Sequence, residues 1–303
     1  MTSILSKRRL ASILGVPPSR LEEIADEIAL DHDLHYSTFS KTDPKKNKAR
    51  TFHNPKPELK RIQKAIDRRL LREAMVHTIA HGGVRGRSPR SNAEVHLGKP
   101  CVVTVDVRDF FPSVRHYMVY RLLRAELGCG RDVARLLTRL TTLASGVPQG
   151  APTSTTISNL LLSSTVDERA LAAAGEHRIQ PTRFVDDFAF SGENPRPLIN
   201  VVAKALSGKR LRVWRAKRKL RIMPQHGPQI VTGLIVNSAR GPSVPRGKRD
   251  AVKAAIFQLR KTASPASARA IASIRGRIQH IARFNPGTAS RLERYLAARL
   301  AHS

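Results

Sequence analysis

The chain has 303 residues, of which 41% are hydrophobic, enough for a core in one large domain or a few small subdomains. Its 54 Lys and Arg against 23 Asp and Glu give a formal charge of +31, which calls for a polyanionic partner, nucleic acid first. No apolar run approaches the ~18 residues of a membrane span and no secretory signal opens the chain, so no membrane association and a cytoplasmic location are expected; the two cysteines, Cys101 and Cys129, match no zinc spacing and are expected to be reduced core residues.

In chain order, a first helix is expected from about Ser3 to Leu14. Ser19-Arg20-Leu21-Glu22 has the S-x-x-E form of a capping box, and Leu21, Ile24 and Ile28 repeat at helical spacing, which predicts an amphipathic helix over 18–30. Residues 36–54 read as a hairpin, with strands Ser37–Thr42 and Ala49–His53 around a charged turn that contains Lys46 and Lys48. Pro57 opens a helix that carries Leu59, Ile62, Ile66 and Leu70 on one face. A Gly/Arg/Ser-rich loop runs from His81 to Arg90. Cys101–Val107 is a near-continuous apolar run, as expected of a strand buried on both faces. Helices around His116–Leu127 and Arg131–Leu143 come next, then a turn-rich loop from Ser145 to Ser154, then a long helix, Thr155–Ala174. A hairpin is centred on Asp186-Asp187, between Thr182 and Ser191. A helix, Pro197–Leu206, and a strand, Gln229–Asn237, follow. From about Arg246 three basic helices are expected, parted at Ser264-Pro265 and Asn285-Pro286.

The charge is unevenly placed. From Val201 onward stand 23 Lys and Arg and two acids, Asp250 and Glu293, so this third carries +21 of the +31. That is the footprint of an RNA or DNA cradle. The element order predicts an α+β fold with an all-α appendage.

Arg183-Phe184-Val185-Asp186-Asp187-Phe188-Ala189-Phe190 places two carboxylates side by side in an apolar strand. Such a pair repels and is costly to bury unless a cation is held there. A third carboxylate, Asp106, ends the apolar run Val102-Val103-Thr104-Val105. One aspartate from a strand and an Asp-Asp pair at a hairpin are the parts of a two-magnesium phosphoryl-transfer site, with Mn2+ as the alternative ion.

Five segments in order resemble the bacterial retron type of reverse transcriptase. Val105-Asp106-Val107-Arg108-Asp109-Phe110-Phe111 resembles the first catalytic motif. Val147-Pro148-Gln149-Gly150-Ala151-Pro152 resembles the template-and-nucleotide loop, followed by Ser158-Asn159-Leu160. Phe184-Val185-Asp186-Asp187 resembles the x-x-Asp-Asp box. Asn92-Ala93-Glu94-Val95-His96 and Val231-Thr232-Gly233 resemble the N-A-x-x-H and V-T-G elements of retron enzymes. The resemblance covers roughly Tyr36 to Asn237. It implies a right-hand polymerase fold: an N-terminal helical segment over 1–35, fingers over 36–100, a palm over 101–240 with fingers elements at 115–155, and an all-α basic thumb over 241–303.

The resemblance also implies residue roles. Asp106, Asp186 and Asp187 would hold the metals. Arg50 would clamp the triphosphate, and Asp109 and Phe110 would lie against the nucleotide, although a loop-capping Asp109 fits equally. Phe111 would exclude a ribose 2′-hydroxyl, or else simply pack in the core. Gln149 would meet the incoming nucleotide and template. Lys219, with Lys217 as the register alternative, would protonate the leaving pyrophosphate. Asn92, His96, Thr232, Gly233, Arg246, Lys248 and Arg249 would contact RNA or primer, while His96 fits a packed structural histidine as well. The box departs from the usual retron form, which has tyrosine then alanine where this chain has Phe184 and Val185.

The implied activity is RNA-directed DNA synthesis from deoxynucleoside triphosphates on a cognate structured non-coding RNA. Priming would come from an internal RNA 2′-hydroxyl and leave a branched RNA–DNA hybrid. The implied partners are that RNA and its DNA product, an effector protein encoded nearby in anti-phage defence, and a host ribonuclease H.

Overall fold

The amphipathic pattern at the N-terminus folds as expected into two helices, α1 (Lys7–Leu14) and α2 (Pro18–Leu30), which bury Leu10, Leu14, Leu21, Ile24 and Ile28. The computed structural model describes residues 4–43, 48–74, 76–213, 220–259 and 265–301. The expected capping box at Ser19 and Glu22 does not form. Pro17 is the N-cap and Pro18 takes the first helical position, so Ser19 already lies inside the helix, and Glu22 pairs instead with Lys7.

The hairpin forms from β1 (Tyr36–Asp43) and β2 (Lys48–Pro55), in register from Tyr36↔Pro55 outward; Lys46 of its turn lies outside the described residues. Its root is fixed from within. Gln63, on α3 (Pro57–Arg69), is fully buried and donates from Nε2 to Tyr36 Oη at 2.9 Å and to the Leu140 carbonyl at 2.9 Å. Burial pushes the Tyr36 hydroxyl up to about 12. A short helix not read from the sequence, α4 (Pro89–Glu94), carries the first three residues of the N-A-x-x-H segment. Ser88 and Ser91 close its first turn reciprocally.

A four-stranded antiparallel sheet stands at the centre, in the order β4-β5-β3-β6. Its strands are β3 (Cys101–Asp106), β4 (Gln180–Phe184), β5 (Asp187–Gly192) and β6 (Leu220–Pro224), the last unexpected from sequence. Alternation sorts the side chains. Val103, Val105, Phe188 and Phe190 enter the main core, which α5 (Phe110–Ser113), α6 (His116–Ala125) and α7 (Arg131–Thr141) also feed. Val102, Ala189 and Met223 enter a second core with the C-terminal helices.

The long helix expected over 155–174 is broken. α8 (Ser154–Leu162) and α9 (Glu168–Glu176) are separated by a π-helical turn, Ser163–Asp167. Ser163 Oγ donates to the Asn159 carbonyl at 3.0 Å, a local bond that competes with the regular ladder. The strand expected over 229–237 is a tight hairpin, β7 (Ile230–Val231) and β8 (Leu234–Ile235). Thr232 and Gly233 both have positive φ, 46° and 80°, which is how a two-residue turn matches strand twist.

After α10 (Pro197–Gly208), the C-terminal part forms α11 (Arg246–Phe257), α12 (Pro265–Ala282) and α13 (Pro286–Ala301), parted where the prolines stand. Among the described residues no helix is long and apolar enough to cross a membrane. Cys101 and Cys129 are free thiols, the second buried.

Candidate active site

The carboxylates meet at one end of the sheet. Asp106 closes β3 and is the register partner of Asp187, which opens β5. Partners in an antiparallel ladder project from the same face, their Cβ atoms about 4.5–5.5 Å apart. Asp106 shares that face with Val102 and Thr104, away from the main core. Asp186 sits in the two-residue turn between β4 and β5, and its carbonyl accepts from Val107 N at 3.0 Å. The two motifs are thus locked to each other by backbone.

The electrostatics fit a cation site. Asp106 is 7% exposed, Asp186 is half-buried and Asp187 is exposed. Burial pushes the Asp186 carboxyl up; its backbone hydrogen bond and the charges of Arg50 and Arg183 oppose that. The turn is also strained. Val185 has φ 61°, a left-handed conformation that costs a β-branched residue about 1–3 kcal/mol. Among the described residues no three or more His, Cys, Asp or Glu side chains are gathered closely enough to hold a metal ion by themselves. Magnesium does not need such a group, because it keeps water and substrate phosphate oxygens and takes one or two carboxylates from the protein. An all-oxygen donor set at the strand ends suits that ion.

The surrounding residues sort into those that face the site and those that do not. Arg50 is exposed on β2 and near enough to Asp186 to act on its charge. The hairpin that carries it is tied to the Gln149 loop, since His53 N donates to the Gln149 carbonyl at 2.9 Å. Gln149 itself is half-buried and precedes Gly150, whose φ of 114° only glycine adopts readily. Asp109 has φ 43° and stands at the N-cap of α5, where its carbonyl accepts from Ser113 N. Phe111 is half-buried, with its ring 5.7 Å from that of Phe110.

Three expectations, those for Phe110, His96 and Asn92, need correction. Phe110 is 3% exposed and belongs to the core, so its ring does not reach a nucleotide. His96 is fully buried between two hydroxyls, Nδ1 to Ser191 Oγ and Nε2 to Thr182 Oγ1, both at 2.7 Å. Desolvation lowers its pKa to about 3, so it stays neutral. Asn92 is 1% exposed. Neither side chain is open to RNA. Thr232 and Gly233 form the β7–β8 turn; Thr232 Oγ1 donates to the Pro89 carbonyl at 2.8 Å, and Lys248 Nζ donates to the Gly233 carbonyl at 3.3 Å. The V-T-G turn therefore joins the first turn of α4 to α11. Lys219 and Lys217 lie outside the described residues. Arg246 is exposed and paired with Asp250, while Arg249 is half-buried. With Lys253 and Arg291 they line a cavity of about 480 Å³ between α11 and α13.

Behind the turn stand three buried residues, Asn159, Arg183 and Asp167, that the sequence does not single out as site residues. Arg183 is fully buried and paired with Asp167 at 2.6 Å, also fully buried. A charged residue directly before an apolar Asp-Asp box was the available signal.

Comparison with known proteins agrees with this geometry. Residues 40–225 match the family described as reverse transcriptase (RNA-dependent DNA polymerase). The chain is 34% identical to the Retron Mx162 reverse transcriptase of Myxococcus xanthus, over 84% of this chain and 58% of that protein. It is 32% identical to the Retron Mx65 reverse transcriptase of the same organism, over 94% of this chain and 70% of that protein. It is 30% identical to the Retron Ec86 reverse transcriptase of Escherichia coli, over 54% of this chain and half of that protein.

Proposed function

Because the chain belongs to the reverse transcriptase family and to its bacterial retron type, we propose that it is an RNA-directed DNA polymerase whose reaction centre is the Asp106, Asp186 and Asp187 cluster. One observation carries the reading: Asp106 and the Asp186-Asp187 turn, about eighty residues apart in sequence, are register neighbours at the open end of one sheet. The fingers, palm and thumb correspond to 36–100, 101–240 and 241–303.

Two magnesium ions held by these carboxylates would lower the pKa of the attacking hydroxyl and neutralise charge on the departing pyrophosphate. The rest is the work of the chain. Arg50 reaches toward the aspartates from the fingers hairpin and would hold the triphosphate by charge-assisted hydrogen bonds. The tie between His53 and Gln149 keeps that hairpin in register with the template loop. Phe111, the more exposed of the two rings, would block a ribose 2′-hydroxyl and select deoxynucleotides. The +21 of the C-terminal third supports RNA binding along α11 to α13, with a steep loss of affinity as salt rises.

The finer biology extends the same reading. The template would be a cognate structured RNA, primed from its own internal 2′-hydroxyl to give a branched RNA–DNA product. The complex would serve in anti-phage defence with an effector protein encoded nearby. The test is to purify the protein with RNA transcribed from its flanking DNA, then add magnesium and labelled deoxynucleotides. DNA covalently joined to that RNA supports the proposal. Extension of an added primer alone supports a polymerase without self-priming. Salt-sensitive RNA binding without synthesis overturns the enzymatic reading.

A further inference from the structure

The turn that carries the aspartates is strained, and the structure shows what holds it. Arg183, one residue from the end of β4, points away from the aspartates into the main core, where it is fully buried. Its guanidinium makes four hydrogen bonds. Nε and Nη2 donate to both carboxylate oxygens of Asp167, at 2.8 and 2.6 Å. Nη1 donates to Asn159 Oδ1 at 2.7 Å and to the Val185 carbonyl at 2.9 Å. The last bond grips the turn itself, at the residue with the left-handed backbone.

Asn159 extends the grip. Its Nδ2 donates to the Gly82 carbonyl at 2.7 Å, and Gly82 lies directly against the turn. A Cβ at Gly82 would stand 2.5 Å from both Val185 N and Val185 Cγ2. The segment before Gly82 is stitched to the same strand, since Arg183 N donates to the Ile79 carbonyl and His81 N to the Arg183 carbonyl, each at 2.7 Å. Asp167 is delivered by the last residue of the π-helical turn, the kind of helix irregularity often kept at functional sites. Backbone strain persists only where the surroundings over-determine it, and these contacts supply that determination from below the sheet.

We propose that Arg183 is a positioning residue, which with Asp167 and Asn159 fixes the Val185–Asp186 turn so that the Asp186 and Asp187 carboxylates stand ready for divalent cations and substrate phosphate. The proposal rests on the polymerase reading above. Arg183 touches no substrate and acts through the turn. A planar guanidinium suits the task, because its fixed fork can bind a carboxylate on one edge and reach two further acceptors with the remaining nitrogen.

The test uses the full chain with Arg183→Met and Asp167→Leu combined, since replacing a buried ion pair by apolar residues of similar volume is often neutral for folding. Thermal melting, binding to poly(rA)·oligo(dT), steady-state dTTP incorporation, and Mn2+ binding followed by electron paramagnetic resonance are compared with wild type and Asp186→Asn. The expected result is wild-type melting and nucleic-acid binding, a kcat lower by about tenfold to a hundredfold with KM for dTTP little changed, and weaker Mn2+ binding. Wild-type kcat and Mn2+ affinity in the folded double variant overturn the proposal. So does a loss of melting temperature matched by equal losses in every other readout, which assigns stability alone. If the double variant does not fold, Asn159→Ala decides. It keeps the ion pair and cuts the link to Gly82, and the same split between kcat and nucleic-acid binding is expected, with unchanged kcat overturning the proposal. The Mn2+ measurement needs no turnover. A wild-type protein that binds Mn2+ through Asp186 but makes no DNA would sink the polymerase reading and leave this one standing.

Discussion

The two ends of the central sheet carry residues of equal prominence in the sequence and opposite fates in the structure. At one end Asp106, Asp186 and Asp187 stand at strand termini and a turn, adjacent in the ladder and partly open to solvent. Toward the other, His96 lies buried between Thr182 and Ser191 with both ring nitrogens engaged, and in the separate β7–β8 hairpin Thr232 spends its hydroxyl on the Pro89 carbonyl. The contrast teaches that a short motif marks necessity and not its kind. Carboxylates gathered at an open sheet end suit a ligand, whereas a side chain buried with its hydrogen bonds met internally points to architecture.

Substitutions at the two ends should separate these kinds, beginning with the largest effect. Asp186→Asn should lower DNA synthesis by about a thousandfold, with urea unfolding no easier than in wild type, because the change removes a charge that burial disfavours; retained synthesis would remove Asp186 from the metal site. His96→Ala should show the reverse, a loss of about 2–4 kcal/mol in unfolding free energy with kcat per folded molecule unchanged. Weakened RNA binding at full stability would instead return His96 to the RNA surface.

The same histidine predicts an acid limit. Its folded pKa lies near 3, below the unfolded value of about 6.5, so the folded state refuses a proton that the unfolded state accepts. Its stabilisation is complete above the unfolded pKa and erodes as pH falls, by about 1.4 kcal/mol per pH unit down to the folded pKa. His81 and His116, also lowered by burial, add in the same direction. Unfolding titrations at pH 7 and pH 5 should differ by at least about 2 kcal/mol; equal stability would mean that these rings are not buried neutral.

Smaller effects refine the picture. Phe111→Ala should relax discrimination against ribonucleotides by about tenfold, whereas Phe110→Leu should cost stability and leave discrimination intact; competition between dTTP and UTP reads both. Thr232→Val should cost about 1 kcal/mol, and a larger drop in synthesis than in stability would give the V-T-G turn a role beyond joining α4 to α11.

Much of this is legible in the sequence. The helices with clean apolar stripes, the early hairpin and the proline-parted C-terminal helices stand where spacing and breakers put them, because local chemistry decides those elements. The x-x-Asp-Asp hairpin was legible because adjacent carboxylates in an apolar, aromatic strand repel each other and are costly to bury, and the fold meets that cost by placing them at the turn, with Asp187 exposed. What escaped depends on tertiary context. The π-helical turn at Ser163–Asp167 interrupts a sequence that reads as continuous helix, and only the buried partner Arg183 explains why it is tolerated. The β7–β8 turn reads as part of one strand until Thr232 and Gly233 are seen in left-handed conformation. The burial of Phe110 beside the half-buried Phe111 follows from a bend after Asp109 that composition does not announce.

The second core has a consequence for how this molecule moves. Val102 and Ala189, from the strands that present the aspartates, pack in one apolar cluster with Ile274, Ile278 and Leu292 of the last helices. The basic helices are therefore not a tethered flap that swings free of the sheet. An RNA bound along them, as proposed above, would rest on helices packed directly against the strands that end at Asp106 and Asp187. Removing everything after residue 240 would strip an oily face bare and yield an aggregating fragment instead of a smaller enzyme.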